Sequence, residues 1–276
     1  MPSTTTTPDL LIFSDLDGTL LDRETYSFEP AEPALNLIRM KDIPLILSSS
    51  KTRFEIELYR AKLKNHHPFI SENGGAVFIP KGYFSFPLPY DREMDEYFVL
   101  ELGVFYPMIL EVLESIRKET GMKITGFSDL TDEALSSLTG LSLEEARFAK
   151  RREYDEAFLI EAGEKEVEQV KRRIEEKGMH YVWGGRFHHI QGENDKGEAV
   201  RILKELYRRE GISVFTVGIG DSLNDLPMLL SVDLPIYLQE RKGEALTIPF
   251  NLPHLILIEG AGPRAWNRAI LSVISK

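Results

Sequence analysis

The chain has 276 residues, 42% of them hydrophobic, which is enough for a large core and allows two domains. Its 33 Lys and Arg against 44 Asp and Glu give a formal charge of -11, which argues against nucleic acid as a partner, because such binding rests on a basic footprint. There is no Cys, so disulfides and thiolate chemistry are excluded, and no apolar run approaches the roughly 18 residues of a membrane span.

Met1 to Thr7 is polar and Thr-rich and lacks the charged and apolar regions of a signal peptide. It reads as a frayed tail on a cytoplasmic protein. Leu10 to Phe13 form a short buried strand that runs into Asp15-Leu16-Asp17-Gly18-Thr19-Leu20. Carboxylates at the end of such a strand sit where α/β sheets place ligands. Two of them two residues apart can divide phosphoryl transfer, Asp15 attacking phosphorus and Asp17 trading a proton with the leaving oxygen. A Ca²⁺ loop would need a closing Glu at its twelfth position, where this chain has Tyr26.

Pro33 to Lys41 predicts a helix with Leu35 and Ile38 inward, and Ile43 to Ser48 a second buried strand. Ser49 follows that strand, where a hydroxyl and nearby N–H groups can hold phosphate oxygens; taken alone it reads equally as a helix N-cap. Thr52 with Glu55 makes a capping box for a helix to about Lys64. Pro68 to Ile70 leads into Glu72-Asn73-Gly74-Gly75, a tight turn, with a strand from Ala76 to Ile79. Tyr83 to Tyr90, with two prolines, reads as a linker. Helices follow at 106–119, 131–138 and 143–150, then a strand at 157–160 and a charged helix at 164–177 ended by Gly178. Segments 179–183 and 186–191 flank Gly184-Gly185 as a hairpin. The αβ alternation resumes with a helix at 195–209, a buried strand at 214–219, a short helix at 223–230, strands at 234–238 and 255–258, and a closing helix at 263–274. This predicts an α/β fold: a Rossmann-like parallel sheet core at 1–81 and 191–276, interrupted by an inserted α+β cap at 82–190.

The second acidic run, Gly218-Ile219-Gly220-Asp221-Ser222-Leu223-Asn224-Asp225, again follows a buried strand. Asp221 and Asp225, with the Asp15 loop, offer the oxygen ligands that Mg²⁺ prefers. Lys196 opens the helix before that strand. A single Lys reads as a solvated side chain, yet at this place it could neutralise an attacking carboxylate.

Together Asp15-x-Asp17-Gly18-Thr19-Leu20, Ser49, Lys196 and Gly220-Asp221-x-x-Asn224-Asp225 resemble, in order, the four motifs of the haloacid dehalogenase-like phosphatases. The resemblance implies Asp15, Asp17, Ser49 and Lys196 as catalytic residues. It implies Mg²⁺ held by Asp15, Asp17, Asp221 and Asp225, and turnover through an aspartyl-phosphate. Ser49-Ser50-Lys51-Thr52-Arg53, Glu72-Asn73-Gly74-Gly75, Arg152 to Phe158 and Gly185-Arg186-Phe187-His188-His189 are similar to the mannosyl-3-phosphoglycerate phosphatase family, with Ala157 where that family is expected to have Pro. That similarity implies a phosphorylated sugar-glycerate as substrate, hydrolysed to mannosylglycerate, a compatible solute.

Such a substrate carries phosphate, carboxylate and hydroxyls. Ser50, Lys51, Asn73, Gly74, Arg152, Arg186, His188 and Asn224 are the candidate contacts, with Arg53 and Arg151 nearby. Arg151 and Arg152 also read as a solvated face. The alternatives are the same chemistry on glucosyl-3-phosphoglycerate, sucrose phosphate or a hexose phosphate, a mutase on a related core, or a non-catalytic binding protein. The intact acidic motifs argue against the last.

Overall fold

The computed structural model describes residues 9–239 and 252–275. The N-terminal tail expected to fray lies outside them. Its main sheet, among the described residues, carries β1 (Asp9–Ser14), β2 (Leu45–Ser48), β3 (Phe69–Ser71), β4 (Ala76–Pro80), β5 (Arg92–Glu93), β6 (Tyr97–Glu101), and three later strands introduced below. Helices α1 (Glu32–Met40) and α2 (Arg53–Leu63) sit between the first of these strands. Alternation along β1 divides the core. Ile12 faces a layer with Leu35 and Ile38 of α1 and Ile56 of α2, while Leu11 and Phe13 face the opposite layer. The α2 capping box forms as the sequence predicts, Thr52 and Glu55 satisfying each other's backbone N–H.

A second unit follows, with α3 (Tyr106–Thr120), β7 (Ile124–Gly126), α4 (Asp132–Thr139), α5 (Leu143–Ala149), β8 (Asp155–Ile160), α6 (Glu164–Glu176), β9 (His180–Trp183) and β10 (His188–Gln191). Its antiparallel sheet runs β7-β8-β10-β9. One face packs on α3 and α6 through Ile109, Leu113, Phe158, Ile174 and Ile190. The other carries Ala157 against Phe127, Leu135 and Ala146. The chain then returns through α7 (Lys196–Arg209), β11 (Val214–Gly220), α8 (Leu226–Leu230), β12 (Leu234–Gln239), β13 (Ile256–Glu259) and α9 (Gly262–Ile274).

The main sheet order is β13-β12-β11-β1-β2-β3-β4-β6-β5. β1 pairs in parallel with both β11 and β2, so chains connected on opposite sides meet at its C-terminal end. Trp266 of α9 is fully buried there, and its indole N–H donates to Ser14 Oγ at 2.9 Å.

The start of the insert differs from the expected residue 82. β6 extends the main sheet antiparallel to β4, with Val99 buried opposite Phe78, and β5 adds antiparallel to β6 at the edge. The Tyr-Phe-Val-Leu run at 97–100 has the β-propensity for this, but the prolines before it masked the signal. The expected linker is also docked. Phe84 is buried, and the Tyr83 hydroxyl meets Tyr207 Oη at 2.6 Å and His67 Nδ1 at 2.7 Å. We therefore place the cap between about Gly103 and Gly192, where the second sheet and its helices begin and end.

Candidate active site

Asp15 is the first residue past β1, and its N–H donates to Ile219 O of β11 at 2.9 Å. That bond brings the two acidic loops together. Gly18 turns the chain away at φ +78°, and a Cβ there would collide with the Asp221 carboxylate and the Arg23 side chain. Glycine is thus needed both for the turn and for the close approach. Thr19 Oγ1 donates to Asp221 Oδ1 at 3.3 Å. Carboxylate oxygens of Asp15, Asp221 and Asp225 all lie within 4.8 Å of one another.

Lys196 is fully buried at the start of α7, whose N-cap Asp195 accepts from the Glu198 N–H at 2.7 Å. Its ammonium donates to Asp15 Oδ1 and Asp225 Oδ1, both at 2.7 Å. Burial pulls Lys196 down, but the charges of Asp15 and Asp225 carry it above the ordinary lysine value. Burial, then the Asp225 charge, push Asp15 well up against the pull of Lys196. Asp221 is pushed up to about 6 by burial and Asp225, with ion-paired Arg23 acting the other way. Asp225 Oδ2 accepts the N–H groups of Asp221 and Ser222, fixing the second loop.

Three crowded carboxylates with hard oxygen donors are under-neutralised by one buried ammonium and a half-exposed guanidinium. Asp17 adds a buried Oδ1 with no hydrogen-bond partner among the described residues. This donor set fits a small divalent cation. Asp17 Oδ2 meets Lys51 Nζ at 3.0 Å. Lys51 also lies 3.5 Å from Glu55 and 5.0 Å from the Tyr26 ring centroid. Ser49 is fully buried, and its Oγ accepts the Lys51 N–H at 3.2 Å, so it braces the loop rather than projecting from it.

A cavity of about 340 Å³ opens above these groups. The core contributes Asp15, Asp17, Arg23, Ser50, Lys51, Asp221 and Asn224 to its wall; the cap contributes Arg152, Gly184, Arg186 and His189. Arg152 is buried beside Asp155 in an ion pair, donating to Asp155 O and Ser50 O, both at 2.9 Å. Arg186 is exposed and reaches the end of α4, donating to Thr139 O at 3.0 Å and to Leu138 O.

Other expected contacts lie elsewhere. His188 points to the opposite sheet face, where Nδ1 meets Tyr181 Oη at 2.7 Å and the ring stacks on Phe158. Alternation along β10 gives the cavity to His189 instead. Asn73 and Gly74 stand behind the cavity. Asn73 donates to Asp155 Oδ2 and accepts from Asn224 Nδ2, each at 3.1 Å. Gly74, at φ +92°, packs against the Asp195 backbone and seats the start of α7. Arg53 pairs with Glu57, and Arg151 lies over the Phe54 ring, both away from the cavity.

The sequence reading missed Arg23, for which no motif signals, and Glu72 and Asp155. The Glu72 carboxylate accepts N–H groups of Glu153, Tyr154 and Asp155, which ties the core turn to the cap entry. Burial would raise Asp155, but Arg152 and His189 carry it below its ordinary value.

A family model described as haloacid dehalogenase-like hydrolase matches residues 12–247. A relative from Methanococcoides burtonii, named glucosyl-3-phosphoglycerate/mannosyl-3-phosphoglycerate phosphatase, is 51% identical over 96% of this chain and 97% of its own. A mannosyl-3-phosphoglycerate phosphatase from Pyrococcus horikoshii is 40% identical over 81% of this chain and 88% of its own. Among solved structures, a haloalkanoate-superfamily phosphatase from Bacteroides thetaiotaomicron superposes with a TM-score of 0.66 at 15% identity, covering 99% of this chain and 98% of its own, which speaks for the fold alone. The family match over residues 12–247 and the near full-length relative show that this chain belongs to the haloacid dehalogenase-like hydrolases.

Proposed function

We propose that the chain is a Mg²⁺-dependent phosphatase that hydrolyses mannosyl-3-phosphoglycerate to mannosylglycerate and phosphate in the cytoplasm. The observation that carries this reading is the cavity that joins the acidic loops and Lys51 of the core to Arg152 and Arg186 of the cap, with Lys196 paired to Asp15 beneath it. A phosphate fits the first set and a carboxylate the second. The M. burtonii relative, whose name includes both sugars, favours glucosyl-3-phosphoglycerate as a second substrate.

In this reading Asp15 attacks phosphorus in line, and the P–O bond to the glycerate oxygen breaks as the P–O bond to Asp15 forms. Asp17 gives its proton to the departing oxygen. It then takes a proton from the water that cleaves the aspartyl-phosphate. Lys196 holds the Asp15 carboxylate in place and balances charge beside it. Ser49 braces the loop from which Ser50 and Lys51 meet the phosphate. Bound Mg²⁺, held by Asp15, Asp221 and Asp225 with the backbone carbonyl of Asp17, would supply charge neutralisation at the phosphoryl oxygens.

The test is phosphate release with Mg²⁺ from mannosyl- and glucosyl-3-phosphoglycerate, 3-phosphoglycerate, sucrose phosphate, hexose phosphates and p-nitrophenyl phosphate. The glycosyl phosphoglycerates should have the highest kcat/KM. Preference for a hexose or sucrose phosphate would overturn the substrate, and no release from any ester would overturn the activity.

A further inference from the structure

β10 presents alternate residues to two different environments. His188 and Ile190 face the helical side of the cap, where Ile190 is fully buried with Ile109 and Leu113. His189 and Gln191 face the core domain, and both are buried. The two ring nitrogens of His189 have unlike surroundings. Nδ1 meets Asp155 Oδ2 at 2.7 Å. Nε2 makes no hydrogen bond among the described residues and lies beside Gly184 at the cavity wall.

Asp155 is fully buried and has several partners. Arg152 pairs with one carboxylate oxygen, while Asn73 and His189 share the other. An ionised carboxylate only accepts, so Nδ1 carries the proton of that contact and Nε2 is the ring nitrogen left to the cavity. The space before it is kept clear. Ala157 is the residue opposite His189 across β8 and β10, and Gly184 and Gly185 follow at the hairpin.

A sugar hydroxyl, which both donates and accepts, can pair with the ring nitrogen there. The places of phosphate and carboxylate are supplied by Lys51, Arg152 and Arg186 in the same cavity. We propose that His189 hydrogen-bonds a sugar hydroxyl of the substrate through Nε2, with Asp155 and Arg152 as its positioning residues; this rests on the glycosyl phosphoglycerate reading above. The cap thereby senses the sugar separately from the glycerate, and the subsite discriminates a glycosylated phosphoglycerate from the bare one.

Two variants test this. His189→Asn keeps an N–H near the Nδ1 position for Asp155 and removes the outward ring nitrogen. Gly184→Ala keeps the His189 side chain but adds a Cβ that would stand 2.9 Å from Nε2, so the ring or the hairpin must shift and the hydroxyl loses its place. Steady-state kinetics would be measured with mannosyl- and glucosyl-3-phosphoglycerate, 3-phosphoglycerate and p-nitrophenyl phosphate. For both variants the KM of the glycosyl esters, relative to that of p-nitrophenyl phosphate, should rise about tenfold, with kcat for those esters changed much less. The KM gap between glycosylated and bare phosphoglycerate should narrow by the same factor.

An equal rise on all four substrates would assign His189 to the fold. An unchanged ratio in both variants would remove the hydroxyl contact while leaving the substrate reading standing. If wild-type enzyme cleaves p-nitrophenyl phosphate but neither glycosyl ester, the substrate reading fails first and the contact falls with it. Should His189→Asn fail to fold, Gly184→Ala decides alone.

Discussion

Lys196→Met removes the one buried cation between Asp15 and Asp225 while keeping a side chain of similar length in its channel. The ammonium is 2.7 Å from an oxygen of each carboxylate and fully buried. Breaking a buried pair by deleting one partner costs about 3–5 kcal/mol, because a charge stays behind without compensation. Two pairs are lost here, but they share one cation, so the single-pair figure is the better guide. Methionine fills the space, which keeps the cavity cost of an alanine out of the measurement. At roughly 2–4 °C per kcal/mol for a chain of this size, the expected fall in Tm is roughly 6–20 °C at pH 8. The pH dependence has a definite sign. Without Lys196 the Asp15 carboxyl, already pushed up by burial and the Asp225 charge, rises further above its unfolded value. Such groups cost nothing while folded and unfolded chains are both protonated, and cost more as pH climbs from the unfolded pKa through the folded one. The deficit should therefore shrink between pH 8 and pH 5. Scanning calorimetry of both proteins at the two pH values measures it, and phosphate release should fall by about 10²-fold or more. A Tm within 2 °C of wild type at pH 8, or a deficit equal at both pH values, would refute the charge argument.

Asp15→Asn should abolish phosphate release while Tm stays level or rises, since burial and neighbouring carboxylates already push the Asp15 carboxyl up; a folded, active variant would remove Asp15 as nucleophile. Arg186→Ala should raise KM for a glycosyl phosphoglycerate far more than for p-nitrophenyl phosphate, by roughly 1.5–3 kcal/mol of binding for a lost charge-assisted contact. An equal loss on both esters would leave Arg186 as the cap on α4 alone. His67 is carried down to about 4 by burial, so folding disfavours its charged form. Stability should fall as pH drops from 6.5 towards 4, by roughly 2–3 kcal/mol in all. His67→Gln should flatten that limb in urea titrations, and an unchanged slope would place the loss elsewhere.

The core was legible because its signals are local. A strand that ends in a carboxylate and a glycine turn is written in consecutive residues, and Asp15 and Asp221 each carry that pattern. Their meeting depends only on β1 and β11 being parallel neighbours, which the βα alternation implies. Lys196 is less local. Its burial comes from Asp195 capping α7 and from Gly74 packing against that cap, and no spacing rule reaches from 74 to 195. Asn73 and Gly74 were expected at the substrate because a polar turn after a strand reads as a ligand loop. Their work is to seat the start of α7 and to hold Asp155. Arg23 has no pattern at all, since its place over Asp221 is set by the fold of the loop after Gly18.

The cap histidine shows how a face can be read from a strand, and why His188 was the wrong residue of the pair. A strand assigns residues to faces by parity, so one buried position fixes all the others. Ile190 is the apolar residue of His188-His189-Ile190-Gln191, and an apolar residue on a half-buried cap strand belongs with the helices that cover it. That choice puts His188 beside Ile190 on the helical face and leaves His189 and Gln191 for the core side. The stacking of His188 on Phe158, its partner across β8, agrees with this parity, as does the pairing of His189 with Ala157. Across the two strands the bulky pair therefore lies under the helices and the pair with the small residue lies over the cavity. A ligand needs room as well as a polar group, so the small residue opposite a histidine points to the site better than the histidine alone.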